Sequence, residues 1–114
     1  MYPTLSDNVS ATRAIAVQFQ AMTNNVANMN TDGFGASDVT FSPGPGGEGL
    51  SAHVSPTKAP APVILRDGEL RLGSNTDLTR ETVTRATASA AFKANLGIMA
   101  SQDSFAEAAL SIVA

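Results

Sequence analysis

The chain has 114 residues, the size of one ordinary domain, with 43% hydrophobic and 15% charged residues and a formal charge of -3. Seven Lys and Arg scattered against ten acidic residues exclude a phosphate-binding surface, so no nucleic-acid partner is expected. With no Cys, the chain has no disulfide, thiolate metal site or thiol nucleophile, and with only 5% aromatics (Tyr2 and five Phe) and much of its apolar content in Ala, a thick self-sufficient core is not expected.

The first residues, Met1 to Asp7, carry neither a basic region nor an apolar run, so export without a cleavable signal peptide is the expectation for a chain that leaves the cytoplasm. From Ser6 to Asn28 there is no Gly or Pro, and Ile15, Phe19, Met22, Val26 and Met29 recur at alternating steps of four and three, which predicts an amphipathic helix. Ser6 or Asp7 is suited to cap its start, because a short side-chain oxygen accepts from the free N–H groups of a first turn. Asn24, Asn25, Asn28 and Asn30 weaken the helix toward its end, and Asn30-Thr31-Asp32-Gly33 is turn chemistry. Residues 1–34 therefore form the first segment.

Residues 35–73 form a Gly/Pro-rich region with short strands. Ser42 to Gly49 has no side chain able to build a core and reads as a flexible loop. Leu50 to Val54 is short-strand material, and Pro56, Pro60 and Pro62 keep the next stretch extended. In Val63-Ile64-Leu65-Arg66-Asp67-Gly68-Glu69-Leu70-Arg71-Leu72, Asp-Gly between two apolar arms predicts a β-hairpin closed by a type I′ turn.

Residues 74–114 form the third segment. From Asp77 to Val113 there is no Pro and one Gly, which predicts a helix of about 35 residues and roughly 50 Å, capped by Asp77. Val83, Ala86, Ala90, Phe92, Leu96, Met99, Ala106, Leu110 and Val113 make its apolar stripe, and Glu81 with Arg85 makes an i,i+4 pair. The expected fold class is mainly α: two long terminal helices pairing as a coiled coil, with a Gly/Pro-rich middle holding a short β-hairpin. Apolar surface left over on the longer helix is free for other subunits.

Candidate chemistry is sparse. His53 is the single histidine, so no paired-imidazole metal site is available. Among the carboxylates Asp67, Glu69, Asp77 and Glu81, Asp67 belongs to a turn and Asp77 to a cap. Gly44 to Gly49 is followed by no Lys-Ser/Thr and opens no helix, so it lacks the context of a phosphate loop. Asp103 and Glu107 lie one helical turn apart and read as a solvated acidic face. No catalytic residue, cofactor, metal or small-molecule substrate is expected, and the chain is not read as an enzyme.

Two segments carry a family resemblance. Ala21-Met22-Thr23-Asn24-Asn25-Val26-Ala27-Asn28-Met29-Asn30-Thr31-Asp32-Gly33-Phe34 is similar to the A-x-N-N-I-A-N-x-N-T-P-G-F motif of the bacterial flagellar rod, hook and hook-filament axial proteins. Ser74-Asn75-Thr76-Asp77-Leu78-Thr79-Arg80-Glu81-Thr82-Val83, continued by Ala91-Phe92-Lys93-Ala94-Asn95, is similar to the S-N-V-D-L-x-x-E-M-V and R-A-Y-x-A-N elements of the same family. With about 40 residues between the two segments, the chain most resembles a short proximal rod protein. The resemblance implies a coiled coil of both termini stacked in a helical tube, a homo-oligomer within the rod of the flagellar basal body, and a role in motility. It also implies other rod and axial proteins as partners, and passage as a substrate through the flagellar type III export apparatus. The assembly residues it implies, together with the two stripes, are Phe19, Met22, Asn24, Asn25, Val26, Asn28, Met29, Asn30, Phe34, Val83, Phe92, Asn95, Leu96, Met99 and Leu110. Asp32 stands where the family has Pro, Ala90 or Ala91 where it has Arg, Phe92 where it has Tyr, and Thr82 where it has Met. The alternative from another class is a soluble helical-hairpin binding module, such as a flagellar export chaperone or adaptor.

Overall fold

The first helix, α1, spans Leu5–Ala27, and the last, α2, spans Leu78–Val113. They lie antiparallel: Asn8 bonds Gln102 at one end of the pair while Asn25 bonds Glu81 at the other. The structure is a computed structural model that describes residues 5–113; the starting segment Met1 to Thr4, with Tyr2, and Ala114 at the end of the third segment lie outside the described residues.

Between the helices the chain makes four strands in two separate antiparallel pairs. Strand β1 (Ser37–Pro43) pairs with β2 (Leu50–Pro56), Ser37 opposite Pro56 and Pro43 opposite Leu50. Strand β3 (Val63–Arg66) pairs with β4 (Glu69–Leu72), Val63 opposite Leu72 and Arg66 opposite Glu69. The mainly α expectation, two helices paired as a coiled coil around a single short hairpin, is therefore corrected: this is a two-helix, four-strand chain. The unanticipated strand is β1. Its sequence, Ser-Asp-Val-Thr-Phe-Ser-Pro, has too few apolar residues to signal a strand alone, and it is held in place by what it packs on.

The stretch read as a flexible loop closes the first hairpin. Pro45–Gly47 makes one 3₁₀ turn, Gly44 N–H donates to Gly49 C=O at 3.2 Å, and Gly49 takes φ +71°. A β-carbon on Gly49 would run into Ser10 Oγ, which itself accepts from Leu50 N–H at 3.0 Å. The β1–β2 hairpin thus lies along α1, from Asn25 at the strand start to Ser10 at the turn. Seven extended residues cover about 24 Å, the length of the fifteen helical residues they follow. In the second hairpin Asp67 (φ +53°) and Gly68 (φ +79°) both take positive φ, as a type I′ turn requires.

Helix α1 is consequently covered on two sides, by the β1–β2 hairpin and by α2, while α2 packs mainly on α1 and meets β1 only at its start, where Arg80 reaches Asp38. Among the described residues the buried apolar side chains are Ala14, Ile15, Ala36 and Ala88, whereas Asn8, Asn25, Ser74, Glu81 and Asn95 are buried polar ones. The seam between the helices therefore takes in only part of the apolar stripe expected of α2, half-buried Phe92 and Met99. It follows Glu81, Ala88, Asn95 and half-buried Gln102, seven residues apart, and Val83, Leu96 and Leu110 of the predicted stripe face out. The reason is volume: Ala88 lets α1 and α2 approach closely, and at that separation short polar side chains reach across. The molecule is long, 76 × 25 × 15 Å with a radius of gyration of 19.6 Å, against about 13 Å for a compact chain of this size.

Candidate assembly junction

Where α1 ends and α2 begins, both quoted segments meet β1. Asn25, among the described residues the one large side chain that is fully buried, spends its whole amide there: Oδ1 accepts from Ser37 N–H at 2.9 Å, while Nδ2 donates to Ser37 C=O at 2.8 Å and to Glu81 Oε1 at 2.9 Å. Its side chain pairs with Ser37 as a neighbouring strand would. Asn75 holds the residue before Ser37 by one bond, accepting from Ala36 N–H at 2.6 Å through Oδ1, and bridges to the next segment by donating to Ala59 C=O at 3.0 Å through Nδ2. Thr76 Oγ1 donates to the Asn25 carbonyl at 3.0 Å, and Asn75 N–H donates to Phe34 C=O at 3.2 Å. One asparagine from each segment therefore clamps consecutive residues of the chain entering β1. An unpaired buried amide or carbonyl costs about 1–3 kcal/mol, so the joint is stable only with all members present.

The second hairpin is tied to the same place. Gly33 N–H donates to Leu72 C=O at 2.9 Å, and Asp32 Oδ2 lies 3.1 Å from Arg66 Nε and 3.8 Å from an Arg71 guanidinium nitrogen. Asp32, which stands where the axial family has Pro, is thus the ionic link to β3–β4. Arg80 reaches Asp38 at 3.0 Å, joining α2 to β1. The α2 start is capped by Asp77, whose Oδ1 accepts from Arg80 N–H at 3.3 Å.

The predicted assembly residues divide into groups. Asn25 and Asn95 are buried within the chain; Asn95 Nδ2 donates to Asn8 C=O at 2.8 Å and to Thr12 Oγ1. Phe19, Met22 and Val26 are half-buried and line a groove of about 600 Å³ between the helices, together with Leu78 and Arg85. Phe92 and Met99 are half-buried on α2, and Met99 Sδ lies 4.0 Å from Thr12 Oγ1. Asn24, Met29 and Asn30 are exposed at the turn, Phe34 is half-buried, and Asn28 serves local structure, donating to Asn24 C=O at 2.9 Å. Val83, Leu96 and Leu110 are exposed on α2 away from the junction.

Sequence reading passed over Asn75, Thr76 and Glu81 as site residues although they stand in the quoted second segment, and passed over Asn8 altogether. The expected Glu81–Arg85 pair does not form: Glu81 is buried and turned to Asn25, which leaves Arg85 without an ion pair among the described residues. His53 is exposed on β2 with Nε2 2.9 Å from Ser42 Oγ, and among the described residues no group of three His, Cys, Asp or Glu is placed to hold a metal. The junction spends its polar groups on the chain itself, tying the end of α1 and the start of α2 to the entry of β1.

No protein-family model matches the chain, and no curated protein sequence matches it.

Proposed function

We propose that the chain is a structural subunit of the bacterial flagellar basal-body rod, assembling by helical packing with other axial subunits to transmit torque. The observation that carries this reading is the meeting of its two axial-type segments: Asn25 of the first and Asn75, Thr76 and Glu81 of the second lock together around Ala36 and Ser37. A torque-bearing subunit needs a stiff coupling between its helices and its strands, and side-chain clamps onto backbone groups supply stiffness that a Gly/Pro-rich connection alone lacks. The thin apolar core and the exposed outer face of α2 suit a subunit completed by its neighbours in an open-ended, heterologous assembly. In this reading the partners are other rod and axial proteins and the type III export apparatus, and the location is the rod spanning the periplasm.

Fractionation of flagellated cells tests the reading. Recovery in purified basal bodies is expected, with loss of incorporation, but not of expression, on deletion of residues 96–114. A purely cytosolic pool would overturn the rod reading in favour of an export chaperone or adaptor.

A further inference from the structure

The groove at the junction and the far end of α2 are complementary, and one chain cannot bring them together. The groove is apolar along Phe19, Met22, Val26 and Leu78, with Glu81, whose carboxylate is bonded to Asn25, also in its lining and with Arg85, which has no ion pair among the described residues, at its edge. Beyond Gln102 every described side chain of α2 is exposed, including Phe105 at 76% and Leu110 at 70%. On that stretch Ala106, Leu110 and Val113 fall on one helical face, and Asp103 and Glu107 flank it on the next strip. Neither carboxylate has an ion-pair partner among the described residues. An apolar stripe with an acidic border thus faces solvent at one end of the molecule, and an apolar groove with a basic border faces solvent at the other.

The two lie on the same helix, α2, with Leu78 to Arg85 at its start and Asp103 to Val113 at its end. About 27 Å or more of continuous helix separates them, at 1.5 Å per residue, so no fold-back can fill the groove from its own chain. We infer that the groove receives the 103–113 end of α2 from a second copy of this chain, with Leu110 among Phe19, Met22 and Val26 and Glu107 beside Arg85. The contact is head to tail. It uses different surfaces on the two copies and leaves each copy with one free groove and one free end, so it propagates as a line instead of closing as a dimer. The inference deepens the subunit reading and rests on it for its setting, but the docking itself is open to test on purified protein.

The chain has no Cys, so introduced pairs report cleanly. Val26→Cys chains mixed with Leu110→Cys chains and oxidised are expected to give a mixed-disulfide dimer, and a chain carrying both substitutions is expected to give a ladder of multimers. Arg85→Glu is expected to weaken self-association measured by sedimentation about fivefold, and adding Glu107→Arg to restore it. Circular dichroism confirms that each variant keeps its helix content. Only like-with-like Leu110→Cys dimers, or no cross-link at all, would overturn the docking. The two readings fail separately: a chain recovered from basal bodies without the cross-link loses the docking and keeps the rod, whereas a mixed disulfide in a chain absent from basal bodies does the reverse.

Discussion

Asn25 Nδ2 lies 2.9 Å from Glu81 Oε1, and both side chains are buried, joining the last turn of α1 to the first turn of α2 across 56 positions of sequence. The carboxylate is held by an amide that is itself held by the backbone of Ser37. Removing Asn25 therefore leaves both of the others without that partner, and removing Glu81 leaves one amide donor of Asn25 with Ser37 alone.

Asn25→Ala removes the partners of Ser37 N–H, Ser37 C=O and Glu81 at once, and is expected to lower unfolding free energy by about 2–4 kcal/mol. Asn25→Asp keeps the size but replaces the donor facing Glu81 with a carboxylate, and is expected to be at least as damaging at neutral pH. Urea denaturation of both variants checks this; a loss under about 0.5 kcal/mol for Asn25→Ala would remove the clamp from the account.

Asp32→Asn cuts the ionic link to Arg66 and Arg71 but leaves the Gly33–Leu72 backbone bond. Both arginines are about half exposed, so the global cost is expected to stay below about 1 kcal/mol. The local effect is larger, because a two-stranded hairpin is marginal by itself and Val63, Leu65, Leu70 and Leu72 are all exposed. Amide exchange of β3 and β4 should quicken while that of α1 stays unchanged.

Asn95 tests whether the polar seam serves stability or alignment. Asn95→Ala is expected to cost about 1–2 kcal/mol, while Asn95→Leu is expected to recover most of that, since the Asn8 carbonyl it leaves sits in a helix that supplies other donors. The Leu variant should instead lose its fixed helix alignment, readable as broadened or doubled amide resonances along α1. A Leu variant with sharp single resonances would assign Asn95 no role in register.

Gly49→Ala places a β-carbon on a residue with φ +71° and into Ser10 Oγ. A loss of about 1–3 kcal/mol is expected, with faster amide exchange in β1 and β2, because the hairpin tip must lift off α1. Thermal unfolding gives the magnitude, and an unchanged melting temperature would show that the tip is not fixed to the helix.

The sequence by itself determined the elements whose signal is local. Runs free of Gly and Pro placed α1 and α2 to within a residue or two, Asp77 marked a helix start, and Asp67-Gly68 marked the tight turn between β3 and β4, because each depends only on backbone preferences of adjacent residues. Tertiary structure alone decided what those helices do with their faces. Periodicity predicted an apolar stripe on α2, yet the buried line is Glu81, Ala88 and Asn95, since the face that packs is set by close approach across Ala88 and by which polar groups find partners on α1. The same holds for β1, which is a strand because α1 and β2 lie beside it, and for Glu81, whose helical neighbour Arg85 lost to a distant Asn25. A hydrogen bond between residues 56 positions apart leaves no trace in either residue's neighbours, and that is why the clamp at Ser37 became visible only when the chain was folded.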